Sequence, residues 1–450
     1  MHGPADFKVA IVGGGIGGLT CALSLAEQCP GIRIDVYEQA AHYKEIGAGV
    51  GIAVNAAKIL HRLGVGNAAN AISGERNNIH RSLRRWDNGE EIVTVDALYD
   101  QDDIRQLSVH RAELLNILFD AIRERGIATL HNNKRSVKVA DTSSDEVTLS
   151  FEDGTSVTAN LLVACDGIHS QTRAQFITDK PRYSGRIAYR GLLPLSAVES
   201  FWPFSSYAIS WLAPNKHFLV FPISQNKTIN VVAFVSKPLD ALDDLKESWT
   251  SSAPREDLAR EFEGWDPVLG KLIHCMEPFP GKWRLNDREL LSQWSFMDGK
   301  VVLLGDAAHA MLPHQGSGAG HAIEDCYILG RALHDYFNPP VPTKIPTTLA
   351  TWTQIYQDVR LPRAQKAQLT SRQAGELYEL QGPLFENLTY DECLPIIAEK
   401  ITGRMKWVWG GDIDAEYDAV VAKTFGKSLG SDGVTSNGVN SDRVSSNGVH

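Results

Sequence analysis

The sequence predicts an α/β protein, in which a doubly wound parallel sheet is interleaved with a smaller antiparallel-sheet domain and followed by C-terminal helices. Three observations predict it. A short apolar run, Phe7–Val12, stops at a glycine cluster and is followed at once by an apolar helical pattern. Two later apolar runs, Leu161–Cys165 and Lys300–Leu304, also end on small or acidic residues, Asp166-Gly167 and Gly305-Asp306. Between these two runs, residues 180–300 change to aromatic-rich strand patterns: YRGLLPL, YAISWLA, HFLVFPI and TINVVAFV. Continuous apolar runs bounded by turns suit buried parallel strands, and the middle block suits an antiparallel sheet.

Taken in order, Gly13, Gly15 and Gly18 satisfy G-x-G-x-x-G between a strand and a helix. The first glycine permits the tight turn, the second lets backbone approach a pyrophosphate, and the third lets helix and strand pack closely. The helix N-terminus offers N–H groups and a positive dipole end to phosphates. About twenty residues on, the run Ile34–Tyr37 delivers Glu38, placed to accept hydrogen bonds from a ribose. The combination predicts a Rossmann-like dinucleotide site. Gly47, Gly49 and Gly51 follow, where backbone either passes close to a flat ligand or simply enters a strand. Asn55–Leu63 reads as a helix, residues 77–107 as strands around an Asn88-Gly89 turn, and Arg111–Gly126 as a helix with a glycine C-cap. Strands flank Asp153-Gly154, acidic helical stretches occupy 240–274, and a long helix runs from Gly318 to Tyr336. FNPPVPTKIP marks a boundary before helical residues 347–425. The implied domains are 1–180 with 285–340, 181–284, and 341–427, leaving 428–450 as a disordered tail of SNGV-type repeats.

Composition narrows the function. A chain of 450 residues holds two or three domains' worth of core, and its net charge of −10 argues against a nucleic-acid surface. Six scattered cysteines show neither disulfide nor zinc spacing, so free thiols and no metal site are expected. With no leader pattern before residue 9 and no run of ~18 apolar residues, a cytoplasmic protein without a membrane span is expected.

The three strand ends fit one elongated ligand, because doubly wound sheets bind ligands beyond the carboxyl ends of their strands. VAIVGGGIGGL with YEQ, then ACDGIHSQTR, then LLGDAAHAMLPHQGSGAGHAIED together resemble the single-component flavin-dependent aromatic hydroxylases of the salicylate-hydroxylase-like branch, with the p-hydroxybenzoate hydroxylase fold. The likeness runs from about residue 7 to 425. It implies FAD as cofactor, with Gly13, Gly15, Gly18 and Glu38 on its ADP half and Gly49 beside it. Arg111 would contact the flavin, and Asp166 and Gly167 would touch FAD and the pyridine nucleotide. Asp306 would contact ribityl or ribose hydroxyls, and Gly316, Gly318 and Gly320 would face the isoalloxazine. No second glycine fingerprint is present, which fits NADH or NADPH acting as a transient reductant. The chain departs from the family pattern at Ala310, His314, Ser317 and His321. The two histidines stand where they would alter pocket polarity or protonation.

The implied chemistry is NAD(P)H- and O2-dependent hydroxylation of a phenolic aromatic acid through a C4a-hydroperoxyflavin. The leading expectation is salicylate-type decarboxylation to catechol by a monomer or homodimer. Phenolate is a better nucleophile than phenol, so the site needs positive charge or a base. Arg190 is either that cation or a structural arginine, and His217 is either a base or a sheet histidine. His314 is the third candidate catalytic residue. Tyr189, Trp211, Phe218 and Phe221 read as core or pocket wall. Alternatives are hydroxylation or dearomatisation of another phenol, hydroxybenzoate or polyketide, epoxidation of an alkene, and a flavin-binding redox sensor without turnover.

Overall fold

The computed structural model describes residues 4–41, 49–74, 78–101, 103–242, 251–340 and 347–426. The tail and Gly47 lie outside the described residues. The first sheet has six strands in the order Ser295–Phe296, Val301–Leu303, Leu161–Ala164, Lys8–Val12, Arg33–Tyr37 and Thr129–His131. All neighbours are parallel except the first pair. Its strands are buried on both faces, which is why they read as unbroken apolar runs. Helices Ile16–Gln28, Arg111–Arg125 and Gly318–Phe337 contribute to the same apolar core.

The second sheet has seven strands in the order Gly281–Asp287, Arg182–Pro194, Thr228–Ser236, Lys216–Ile223, Ile209–Ala213, Ile79–Arg85 and Glu91–Asp96. It is antiparallel except where Ile209–Ala213 meets Ile79–Arg85. The last two strands flank the Asn88-Gly89 turn and come from the segment that the boundaries above assign to the first domain. The second sheet therefore draws strands from both sides of the 181–284 segment.

One face of this sheet packs Tyr189, Trp211, Phe218, Val220 and Val231 against helices Arg255–Glu261 and Pro267–Cys275. Strand alternation turns His217, Leu219 and Phe221 to the opposite face, toward the parallel-sheet domain. The long helix Leu349–Tyr378 lies along Gly318–Phe337 and carries the chain to Tyr390–Ile401 and Ile413–Phe425. Among the described residues, no helix is long and apolar enough to cross a membrane. The cysteines are free thiols, buried at 21, 29, 326 and 393, intermediate at 165 and exposed at 275.

Candidate active site

Register aligns the cofactor loops. Val12 pairs with Tyr37 and with Ala164, and Ala164 pairs with Leu303. Gly13, Glu38, Asp166 and Asp306 thus lie within three residues of one line across the sheet, at its carboxyl edge. Here the strand order reverses about Lys8–Val12, the switch point where such sheets bind ligands.

At Gly13 the backbone has φ +103°, and a Cβ would stand 2.4 Å from the Cys165 carbonyl oxygen. A Cβ on Gly18 would stand 1.9 Å from the Gly13 carbonyl oxygen, the close helix–strand approach its spacing predicts. Gly15 is the extended N-cap of helix Ile16–Gln28. Glu38 accepts from the N–H of Gly14 at 2.7 Å and of Ala40 at 2.8 Å, so the acid stands directly against the glycine turn.

The second loop is pinned by charge. Asp166 Oδ2 accepts from the Thr172 N–H at 3.1 Å, while its buried Oδ1 has no hydrogen-bond partner among the described residues. Burial pushes its pKa up against the hydrogen bonds of Ser170 and Thr172. Gly167 follows it in the same loop. Arg173 is fully buried; it pairs with Asp179 at 2.6 Å and donates to the carbonyls of Ala307 and Ala308. Arg288, a residue the sequence reading passed over, pairs with the same Asp179 and donates to the Ile168 carbonyl. These two arginines join the Asp166 loop to the Asp306 loop.

From Val301 to Ala310 every residue is buried except Asp306. Its carboxylate stands at the open edge of the sheet, within electrostatic reach of half-buried Arg111. Asp325 holds this loop, accepting from the Gly305 N–H at 3.0 Å and contacting His309 Nε2 at 2.6 Å. Gly316 closes a short turn before helix Gly318–Phe337, and Gly51 faces it, with a Cβ there 3.8 Å from the Gly316 carbonyl. A Cβ on Gly318 would lie 4.0 Å from Asp306 Oδ1, and one on Gly320 would touch Ala56. Gly49 has a different reason for its size. A Cβ there would meet the Phe221 ring at 2.5 Å, so it lets strand Gly49–Ile52, which pairs with Leu107–His110, lie close against the second sheet.

The face of the second sheet that carries His217, Leu219 and Phe221 adds further charged and aromatic groups. Arg190 lies over the Trp283 ring at 4.6 Å, and burial together with Arg111 pushes its pKa down to about 10, so it stays cationic. His217 sits one row deeper. It stacks on Phe234 at 4.1 Å and meets Glu379 Oε1 through Nδ1 at 3.0 Å. Glu379 is buried and also accepts from Arg186 Nε at 2.9 Å and Ser236 Oγ at 2.5 Å. His314 packs against His217, with ring centroids 5.3 Å apart, and neither ring nitrogen has a hydrogen-bond partner among the described residues. Burial lowers the pKa of both imidazoles, so both are neutral near neutral pH. His321 stands apart from this group, in a buried network with Arg360, Arg363 and Glu324. Trp211, Phe218 and Tyr189 are core, and half-buried Phe221 is wall. Nothing in the sequence pattern pointed to Glu379, 162 residues from its histidine.

The family described as FAD binding domain matches residues 6–339. The chain belongs to this family. It is 34% identical over 432 residues to a salicylate hydroxylase of Pseudomonas putida, covering 91% of this chain and 93% of the relative. It is 32% identical to a 3-amino-4-hydroxybenzoate 2-monooxygenase of Streptomyces platensis, covering 90% and 96%. A solved salicylate hydroxylase substrate complex superposes with a TM-score of 0.77 at 30% identity, covering 93% of this chain and 98% of that one. The protein is thus a salicylate-hydroxylase-like FAD-dependent monooxygenase. The glycine turn, the unpartnered Asp166 oxygen and the exposed Asp306 fit an elongated, hydroxyl-rich dinucleotide, so the residues present suit FAD.

Proposed function

We propose that this monooxygenase hydroxylates a phenolic aromatic acid with NADH or NADPH as reductant, taking salicylate to catechol. One atom of O2 enters the ring at the carboxylate-bearing carbon and CO2 leaves it. The other oxygen leaves as water with the two electrons of the nicotinamide. The observation that carries this reading is one face of the second sheet, which bears Arg190 and, one row on, His217 packed against His314, with Arg190 in electrostatic reach of Arg111 and Arg111 of Asp306. FAD supplies the oxygen activation that a ground-state ring lacks.

The protein's own part is to hold the cofactor, exclude water and move a proton. Gly13, Gly15, Gly18 and Glu38 would hold the ADP half, Asp306 a ribityl or ribose hydroxyl, and Asp166 and Gly167 would touch FAD and the pyridine nucleotide. The N-terminus of helix Gly318–Phe337 and Arg111 would favour negative charge on the flavin ring. Arg190 sets positive potential at the same edge. At His217, the Glu379 carboxylate can only accept, so Nδ1 carries the proton and Nε2 the lone pair. With His314 also neutral, the pair can take the phenol proton as the ring is attacked.

FAD-loaded enzyme incubated with hydroxybenzoates should consume NADH or NADPH fastest with salicylate and form catechol and CO2 in equal amounts. Nicotinamide consumption that yields only hydrogen peroxide with every phenolic acid would sink the proposal. A polyene converted to an epoxide would favour the alternative chemistry.

A further inference from the structure

A cavity of about 30 Å³ lies beyond His314, between strand Ile79–Arg85, the end of helix Leu349–Tyr378 and residues 403–405. Among the described residues its polar lining is Arg81, Arg404, His80, His314, Gln315 and Tyr378, without a carboxylate. Neither arginine forms an ion pair among the described residues. Arg81 lies against the Tyr378 ring, and Arg404 donates only to the neutral Thr370 carbonyl and Gln373 amide. Buried Glu379, next in sequence to Tyr378, is already matched by Arg186. Arg404 Nε and both His314 ring nitrogens are buried without a hydrogen-bond partner among the described residues.

Two half-buried guanidiniums and three unused ring or guanidinium nitrogens around one small cavity constitute a site lacking its anion. Burial pushes Arg404 down in pKa, in keeping with a charge that has no counter-ion. We propose that this cavity is an anion subsite that takes the carboxylate of the aromatic acid, which makes Arg81 and Arg404 specificity-determining residues. The proposal rests on the substrate class proposed above.

Size and continuity select a substrate carboxylate. At ~10–15 Å³ for each water-sized atom the cavity holds about two, the size of a carboxylate head and too small for a ring. Leu83 in its wall shares one register row with Ser210, Leu219, Val232 and Arg190. Of these, Leu219 and Val232 are only half-buried and form an apolar floor for the ring. A hydroxyl ortho to the carboxylate then falls beside His314, whose neutral imidazole offers one donor and one acceptor to that pair of groups.

The test is titration of FAD-loaded protein, followed by flavin absorbance, with salicylate, benzoate and the neutral salicylamide. In Arg404→Gln the Kd of salicylate and benzoate should rise about 10- to 100-fold, the range for a lost charge-assisted hydrogen bond. Salicylamide binding should stay within about twofold, because it loses no charge pairing. Arg404→Lys should recover part of the loss, and Arg81→Gln, made independently, should repeat the pattern if Arg404→Gln fails to load flavin. Equal losses for charged and neutral ligands, or unchanged salicylate affinity, would overturn the subsite. So would Arg404-dependent binding of chloride that benzoate does not displace, which would mark a site for free inorganic anions. The two readings fail separately. If Arg404→Gln hydroxylates salicylate as well as the parent does, the subsite falls and the reaction stands. If no phenolic acid is hydroxylated while benzoate binding still needs Arg404, the reaction falls and the subsite stands.

Discussion

Asp306 shows how much one side chain can report. A carboxylate left exposed in the middle of a buried decapeptide is placed to accept a hydrogen bond from a group outside the protein. Asp306→Ala should therefore weaken FAD binding by about 1.5–3 kcal/mol while leaving the chain folded. Flavin absorbance retained after desalting measures it; full retention would remove Asp306 from the cofactor site. The buried histidines make a second case. Burial lowers the pKa of His217, His314 and His321, the last to about 3 because Glu324 is already matched by two guanidiniums. The unfolded chain takes up these protons near pH 6.5 and the folded chain does not, so stability is level above that pH and falls below it. Each histidine contributes a slope of about 1.4 kcal/mol per pH unit in that window. His321→Gln should reduce the loss of urea resistance between pH 7 and 5.5, and an unchanged loss would mean that His321 is protonated when folded. Glu379, held below its ordinary pKa by His217 and Arg186 despite burial, contributes in a separate window, lost only as pH falls below about 4.5.

At the scale of elements, the strand–turn–helix of the fingerprint is built by steric exclusion. Gly18→Ala would drive a methyl group into the Gly13 carbonyl and separate helix from strand. We expect a loss of flavin together with a stability loss of several kcal/mol, about the upper end for single substitutions; an alanine variant that keeps its flavin would refute the close-approach argument. Asp325 acts on another turn. It fixes the Gly305 N–H and His309 at once, so Asp325→Asn should loosen the Asp306 loop. The expected result is FAD affinity lowered about tenfold or more, the cost of one charge-assisted hydrogen bond. Isothermal titration of FAD into apoprotein checks it, and wild-type affinity would show that the loop holds itself.

Across the whole molecule, the C-terminal helices are tied to the cofactor domain by buried charge. Arg360 and Arg363, from helix Leu349–Tyr378, meet Glu324 and Asp325, from Gly318–Phe337, at 2.7–2.9 Å, and Asn55 adds a bond to Glu324 at 2.6 Å. Removing one partner leaves the other charged and buried. Arg363→Met should cost about 3–5 kcal/mol in chemical denaturation, and Arg363→Met with Glu324→Gln should cost less than the sum of the two singles. Additive losses would show that the pair is not coupled.

What was legible in the sequence was local. A glycine turn, a strand that must be buried on both faces and an acid at a strand end each act within a few residues. Gly13, Gly18 and Glu38 could therefore be named from spacing and Asp166 and Asp306 from the family resemblance, and strand register sets all five close to one line. Gly49 was legible as a glycine but not for its reason, because Phe221 is brought against it by a different sheet. The strands at 79–96 likewise read as strands, but local pattern does not say which sheet will pair with them. The chain by itself determined the class of fold and a glycine turn suited to a dinucleotide, since backbone sterics and hydrophobic period are properties of short stretches, and its likeness to a family pointed to FAD. Tertiary structure alone decided which charges pair among the described residues. Glu379 beside His217, and Arg81 and Arg404 around an empty corner, depend on elements far apart in sequence, and electrostatic compensation is a property of neighbours in space.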